Sequence, residues 1–327
     1  MAILSVIEAI RNAMFEEMKR DDRVFVLGED VGKRGGVFLA TDGFLDEFGE
    51  GRVLDTPLAE SSIAGIAMGA ALQGMRPIAE IEFADFIWPA VNQIIGEAAR
   101  VRYGTKGTTQ VPMVVRAPYG GGIRGGLFHS QSVEAYFAHT PGLKVITPAT
   151  PYDAKGLLKA AIRDDDPVVF LEHKKTYRLV RGEVPEEEYV LPIGVADVKR
   201  VGNTMTCVTY GLMLHYCLEA AEVVAREGID VEVIDLRTVR PLDKETVVSS
   251  VQKTGKVLIV YEDNKAMGVG GEVAAFIAEE AFESLDAPIA RVAGPEVPAM
   301  PFAPTLEDVY MPNADKIADT MRQLAAY

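Results

Sequence analysis

The sequence predicts an α/β protein with two domains, each built around a mainly parallel sheet. Its 327 residues are enough for two cores of ordinary size, and 48% of them are hydrophobic, as in folded globular chains. Short β-branched runs alternate along the chain with longer segments of helical periodicity. Such alternation is typical of right-handed βαβ units, whose strands lie parallel.

The first half of the chain gives its elements in a regular order. Ser5-Val6-Ile7-Glu8 has the pattern of a capping box and predicts the start of a helix. Thr150-Pro151 predicts another, because threonine caps helices and proline suits their first turn. A further helical stretch is predicted from about 88 to 103. The apolar runs predict buried strands at 23–28, 76–83, 111–116, 144–146 and 167–172.

A charged, proline-bearing stretch from about 177 to 194 then interrupts the alternation, which is typical of a linker. Strand-like runs resume at 205–210, 231–236 and 256–260, each followed by a helical pattern. We therefore expect a first domain at 1–185, a linker at 186–198 and a second domain at 199–327.

Composition excludes several classes of function. The net charge of −15 argues against a nucleic-acid surface, and no apolar run approaches the length of a membrane span. The N-terminus lacks the pattern of a signal peptide. The two cysteines, Cys207 and Cys217, have no metal-binding or redox spacing and are expected to be reduced core thiols of a cytoplasmic protein.

The segment from Leu54 to Glu60 is the strongest candidate for chemistry. Its Thr-Pro turn places Glu60 in the first turn of a helix, and the apolar flanks predict a carboxylate partly shielded from water. Such a group can hydrogen bond to the nitrogen of a heterocycle and share its proton. The alternative is a glutamate that only complements the helix dipole. Small residues at 64–71 would let another backbone or a flat ring approach.

Two further features are candidates for a functional site. His129 follows a glycine-rich loop at 120–126, which is how a loop can bring a proton carrier to a ligand; a structural imidazole is the alternative. Asp164-Asp165-Asp166 follows a predicted helix, where acids oppose the dipole, so something should offset them. A bound cation and simple solvent exposure are both open explanations.

The chain resembles, over nearly its whole length, the beta subunits of the thiamine-diphosphate-dependent 2-oxo acid dehydrogenases. The motifs that carry the resemblance are Val26–Gly32, Asp55–Glu60, Glu82–Phe86, His129–Ser132, Pro141–Val145 and Asp235–Thr238. The resemblance implies a transketolase-like fold, with a pyrimidine-binding domain and a transketolase C-terminal domain. It also implies a heterotetramer of two alpha and two beta chains.

The resemblance also implies roles for individual residues. Glu60 would bond the aminopyrimidine of thiamine diphosphate, with Leu58, Glu82 and Phe86 along the same ring; many relatives carry Gln and Tyr at the last two positions. His129 would serve acyl transfer to a lipoyl group. The residues matching a potassium site are Ala161, Asp164 and Asp166.

The sequence contains no Gly-Asp-Gly, the motif with which enzymes of this kind hold Mg²⁺ and the diphosphate. The alpha subunit would therefore supply that half of the site, and the subunit-binding and lipoyl domains of an acyltransferase would be further partners. Residues 135–139 and 294–301 look closest to the branched-chain 2-oxo acid dehydrogenases. Pyruvate or acetoin dehydrogenase beta subunits are the near alternatives, and a non-catalytic docking subunit is the alternative from another class.

Overall fold

The computed structural model describes residues 1–327 and divides into two compact units. The first unit comprises Met1–Tyr119 and Tyr136–Ile193, and the second comprises Gly120–Ala135 and Gly194–Tyr327. The glycine-rich segment therefore belongs to the second unit, although it lies between elements of the first. The boundaries expected from composition, at 1–185, 186–198 and 199–327, stay a prediction.

The first unit has eight strands and, with the helix that begins at Glu134, seven α-helices. The strands are β1 (Ala2–Ser5), β2 (Val24–Gly28), β3 (Val53–Asp55), β4 (Arg76–Glu80), β5 (Val114–Tyr119), β6 (Lys144–Ile146), β7 (Val168–His173) and β8 (Arg181–Val184). The helices are α1 (Val6–Arg20), α2 (Phe44–Phe48), α3 (Glu60–Leu72), α4 (Ala99–Gly104), α5 (Glu134–Ala138), α6 (Pro151–Arg163) and α7 (Thr176–Leu179).

Six strands of this unit lie side by side in the order β6-β7-β5-β4-β2-β3, and all neighbouring pairs are parallel. The predicted parallel sheet is therefore confirmed. Helices α1 and α6 pack together over it, and Met14, Met18 and Leu158 are fully buried in the core that results.

Local sequence signals set the starts of these two helices as predicted. Ser5 caps α1 through its side chain, and Glu8 returns a hydrogen bond to the backbone of Ser5, which completes the capping box. Thr150 caps α6 by accepting the N–H of Asp153, and Pro151 is the first helical residue.

Two stretches of the first unit differ from the sequence pattern. The helical stretch predicted from 88 to 103 has three kinds of turn, a 3-10 turn at Trp88–Ala90, a π-helix at Asn92–Ala98 and then α4. The charged stretch at 177–194 begins inside ordered structure, because β8 pairs with β1 in an antiparallel ladder. Long-range pairing of this kind leaves no local signature.

The second unit has a sheet in the order β14-β13-β10-β11-β9, parallel except for β9. Its strands are β9 (Asp197–Arg200), β10 (Met205–Thr209), β11 (Val231–Asp235), β12 (Thr238–Arg240), β13 (Val257–Asn264) and β14 (Ala290–Gly294). Its helices are α8 (Met213–Ala225), α9 (Lys244–Thr254), α10 (Val269–Glu280), α11 (Pro304–Tyr310) and α12 (Ala314–Ala325).

The cysteines confirm their predicted state, because Cys207 and Cys217 are both free and buried. None of the helices combines the length and the apolar character that crossing a bilayer requires.

Candidate active site

Three neighbouring strands of the first unit end at the same level. Gly28 at the end of β2 pairs with Asp55 at the end of β3 on one side and with Glu80 at the end of β4 on the other. The chain passes from β2 to β3 in one direction and returns to place β4 on the opposite side. The strand order therefore reverses here, and open α/β sheets bind ligands outside the carboxyl ends of their strands at such a point.

Acidic residues follow all three of these strand ends. Glu29 directly follows β2, Glu60 opens α3 after β3, and Glu82 lies two residues beyond the end of β4. The three side chains are partly exposed. Sheet topology thus collects carboxylates that lie far apart in the sequence.

Glu60 is the first residue of α3, as the Thr-Pro turn predicts. The preceding residue, Ala59, has no side chain that could cap the helix. The carboxylate of Glu60 forms no hydrogen bond and no ion pair within this chain, and its side chain is half-buried rather than enclosed. A carboxylate at a helix N-terminus without a protein partner is available to a ligand that carries a hydrogen-bond donor.

The charges of this cluster act on one another. Burial raises the pKa of Glu29, and the charges of Asp30 and Glu60 add to that effect. Burial also raises the pKa of Glu82 to about 7, assisted by Glu29, Asp30 and Glu80. A carboxyl group that titrates near neutral pH can hold or release a proton under working conditions.

We expect Glu82→Gln to raise the melting temperature of the ligand-free chain at pH 8 and to leave it nearly unchanged at pH 5. The pKa of Glu82 lies at about 7 in the folded chain against an ordinary value of 4.5, so wild-type stability falls as the pH rises between these values. Glutamine does not ionise and escapes this loss. Thermal unfolding at both pH values measures the effect. Glu50→Gln, at an exposed position of the same unit, is the control; an equal gain at both pH values would contradict the prediction.

Aromatic rings lie beside the acids. Phe86 contacts Phe83 edge to face at 5.7 Å, Phe83 contacts Phe38 at 5.6 Å, and Phe38 contacts the ring of Tyr177 at 5.0 Å. These contacts fix the orientation of Phe86, whose ring is partly exposed. Leu58 projects to the surface and is 70% exposed. An apolar ring and an exposed leucine next to free carboxylates fit a ligand with a flat, nitrogen-bearing ring.

A buried ion network lies next to these aromatic rings and is joined to them by Tyr177. Arg116 on β5 donates two hydrogen bonds to Glu172 on β7, at 2.6 and 2.7 Å, and one to Glu80 on β4, at 2.6 Å. Tyr177 donates its hydroxyl hydrogen to Glu172 at 2.5 Å. Burial raises the pKa of Glu80, and the adjacent Arg116 opposes that rise. The network ties the central strands β4, β5 and β7 together where the site begins.

His129 follows a short 3-10 turn at Gly126–Phe128 and is partly exposed. It belongs to the segment Gly120–Ala135 and so to the second unit, whereas the carboxylates belong to the first. The segment is closed on itself by the N–H of Gly120, which donates to the carbonyl of Gln131 at 3.0 Å. The loop that the sequence predicts for His129 is therefore present.

The acidic turn after α6 is offset by the protein's own cations. Both carboxylate oxygens of Asp164 accept hydrogen bonds from Lys144 at 2.6 Å. Asp166 pairs with Arg102 and lies 3.5 Å from Lys144.

The remaining groups of this turn are also occupied. Arg76 donates to the carbonyl of Asp164 at 2.8 Å and to the carboxylate of Asp165 at 2.7 Å. The carbonyl of Ala161 accepts the N–H of Asp164 at 3.3 Å. Donors of the protein thus bond to Ala161, Asp164 and Asp166, the residues that match the potassium site. Potassium binding at this turn stays a prediction of the resemblance.

Sequence reasoning missed two contributors to this site. Glu29 lies in the motif Val26–Gly32, but its proximity to Glu60 depends on the order of β2, β3 and β4. Arg116 looks like the last residue of a buried strand. A charged residue next to an apolar run could have indicated its role, because arginine is rarely buried unless a partner is buried with it.

The whole chain matches known proteins. Residues 3–180 match the transketolase pyrimidine-binding domain, and residues 194–317 match the transketolase C-terminal domain. A solved structure described as a split-gene transketolase, an inactive beta4 tetramer, superimposes with a TM-score of 0.80 at 25% identity, covering 99% of this chain and 98% of that one. The fold is therefore that of the two transketolase domains.

Two curated relatives define the family more narrowly. The 2-oxoisovalerate dehydrogenase subunit beta of Bacillus subtilis is 62% identical over 327 residues, covering 100% of both chains. The pyruvate dehydrogenase E1 component subunit beta of the same organism is 48% identical with the same coverage. The chain belongs to the family of 2-oxo acid dehydrogenase beta subunits, which depends on thiamine diphosphate.

Proposed function

We propose that this chain, together with an alpha subunit, carries out the oxidative decarboxylation of branched-chain 2-oxo acids and passes the acyl group to the lipoyl group of an acyltransferase. The observation that carries the proposal is Glu60. Its partly buried carboxylate has no partner in the chain and lies where the strand order of a parallel sheet reverses.

The residues around Glu60 fit the aminopyrimidine of thiamine diphosphate. Glu60 would hold a proton at the ring nitrogen, Phe86 would pack on the ring, and Leu58 would cover it. Glu82, with its pKa at about 7, would set the charge beside the ring. When bound, the cofactor would supply the carbon nucleophile for the decarboxylation of a 2-oxo acid. The chain would orient the ring, control its protonation and exclude water from one side.

The alpha subunit would complete the site by holding Mg²⁺ and the diphosphate. The sequence lacks the Gly-Asp-Gly motif for that task. The solved relative described as an inactive beta4 tetramer supports the inference that such a chain does not act alone.

The higher identity to the 2-oxoisovalerate relative, 62% against 48% for the pyruvate relative, favours a branched-chain substrate. The test is the rate of decarboxylation of 2-oxoisovalerate and of pyruvate by the reconstituted alpha–beta assembly. We expect the branched substrate to give the higher kcat/KM. A preference for pyruvate would move the chain to the pyruvate dehydrogenase branch.

The second unit would contact the acyltransferase. Its acidic residues include Glu272, Glu279 and Glu283, and the chain ends in Ala325-Ala326-Tyr327. A negative surface suits a basic binding domain and gives association that weakens with salt.

We expect His129→Ala to slow acylation of the lipoyl domain more than decarboxylation. The imidazole lies on a surface loop, where it can exchange a proton with an incoming lipoyl arm. An artificial electron acceptor reports decarboxylation alone, and lipoyl domain as acceptor reports both steps. His215→Ala, at a partly buried histidine of α8, is the control. Equal losses in both assays would assign His129 to the decarboxylation step.

A further inference from the structure

The loop at 120–135, called here the His129 loop, is anchored within the second unit by buried carboxylates. Glu134, Glu262 and Glu307 are each 3% exposed or less. Glu134 lies at the end of the loop itself, whereas Glu262 and Glu307 come from β13 and α11. Buried carboxylates are costly unless they are fully bonded, so the partners of these three indicate what they stabilise.

Glu262 and Glu307 hold the N-terminal arm of the loop, residues 120–124. The N–H of Gly121 donates to Oε1 of Glu262 at 2.6 Å. The N–H groups of Gly122 and Arg124 both donate to Oε1 of Glu307, at 2.9 and 3.3 Å. These bonds orient three peptide N–H groups, at 121, 122 and 124, in a segment that has no regular secondary structure.

The side chain of Arg124 adds further bonds to Glu307 on the exposed side of the loop. We call the contacts of Glu307 with residues 122–124 the clamp. The guanidinium of Arg124 donates to Oε2 of Glu307 at 2.5 Å and to the carbonyl of Pro304 at 2.9 Å. It also pairs with the exposed carboxylate of Asp308 at 2.9 Å. Both oxygens of Glu307 are therefore used on the loop, one by its backbone and one by its arginine.

Hydrogen bonds of buried carboxylates also hold the C-terminal arm of the loop, residues 130–135. Tyr210 donates its hydroxyl hydrogen to Glu134 at 2.8 Å. The hydroxyl of Ser132 lies 3.4 Å from the same Glu262 oxygen that receives Gly121. Glu262 therefore joins the two arms at the base of the loop.

The clamp reaches His129 through a tightly packed backbone. Arg124 has a φ of 62°, a left-handed conformation that a non-glycine residue keeps only when its surroundings fix it. The next residue, Gly125, lies so close to His129 that a Cβ there would be 2.9 Å from the Cβ of the histidine. A change in the backbone at Arg124 would therefore shift His129.

We propose that Glu307 is a positioning residue that fixes the His129 loop through Arg124, and so sets where the imidazole meets an incoming acyl acceptor. The contacts described above support the claim that Glu307 fixes the loop. The catalytic consequence rests on the role proposed for His129, and the test separates the two.

The test uses Glu307→Gln and Arg124→Met in the alpha–beta assembly, singly and together. Glutamine keeps one acceptor for the backbone but loses the charge that holds Arg124. Arg124→Met opens the clamp from the exposed side, so it keeps the assembly folded if Glu307→Gln does not. Asp308→Asn is the matched control, because it removes the exposed ion pair of the same arginine, and exposed pairs contribute little.

The first measurement is amide hydrogen exchange by mass spectrometry. We expect peptides covering 120–132 to exchange faster in both variants and to stay unchanged in Asp308→Asn, with the remainder of the assembly unaffected. The double variant should exchange no faster than the single variants, because both substitutions break the same contact between Arg124 and Glu307. Unchanged exchange in both single variants would overturn the proposal.

The second measurement separates the half-reactions. We expect lipoyl acylation to fall about 10-fold to 100-fold in Glu307→Gln, as misplacement by about 1 Å can do, while decarboxylation with an artificial acceptor stays within about 2-fold. Faster exchange with equal losses in both half-reactions would support the positioning role and overturn the role proposed for His129. Lost acylation without faster exchange would overturn the positioning role.

Discussion

Glu60→Gln is expected to slow proton–deuterium exchange at the thiazolium carbon of thiamine diphosphate by about 10²–10⁴-fold in the alpha–beta assembly. The carboxylate has no partner in its own chain, so it can form a hydrogen bond with the cofactor ring. Glutamine keeps the size and polarity of the side chain but cannot take or give that proton. Exchange at this carbon, followed by NMR, reports activation of the cofactor before any substrate binds.

The same variant distinguishes a catalytic role from a structural one. A glutamate that only complements the dipole of α3 would contribute about 0.3–1 kcal/mol to stability and nothing to exchange. Glu50→Gln, an exposed position in the turn before β3, is the control and should exchange at the wild-type rate. Wild-type exchange in Glu60→Gln as well would show that Glu60 only complements the dipole of α3.

Arg116→Met should destabilise the first unit by about 3–5 kcal/mol, the cost of leaving buried charge without its partner. Glu172 and Glu80 both lose their guanidinium, and both carboxylates are buried. The deficit should shrink as the pH falls from 7 toward 5. Burial already raises the pKa of Glu80, and a carboxyl group with a raised pKa favours the folded state at the lower pH. Chemical denaturation at both pH values measures the effect.

Arg23→Met is the matched control for this prediction. Arg23 also forms a two-pronged pair, with Asp21 at 3.0 and 2.8 Å, but its side chain is 57% exposed. Exposed pairs contribute about 0–1 kcal/mol, so the two arginines differ mainly in burial. Equal losses in both variants would mean that the buried network does not stabilise the first unit more than a surface pair does.

Features decided by neighbouring residues could be predicted from the sequence. The capping box at Ser5 and the cap at Thr150 depend on contacts within one helical turn, and the start of α3 at Glu60 directly follows the Thr-Pro turn. The alternation of strands and helices likewise predicts the parallel sheets, because each run carries its own periodicity.

Features decided by distant residues could not be predicted in this way. Gly121 bonds to Glu262 across 141 positions and Gly122 to Glu307 across 185, which places the His129 loop in the second unit. The position of the acids at 164–166, after the end of a helix, predicts that some positive group offsets their charge. The pattern left open a bound cation or solvent, and the structure supplies Lys144, Arg76 and Arg102.

We propose that this chain supplies one half of a thiamine diphosphate site. Titration calorimetry with thiamine diphosphate and Mg²⁺ tests it most directly, on the isolated chain, on the alpha subunit and on the assembly of both. We expect binding to the assembly and no measurable heat with the isolated, folded chain. Micromolar or tighter binding by the isolated chain would contradict the account, because it would require a diphosphate site within this chain.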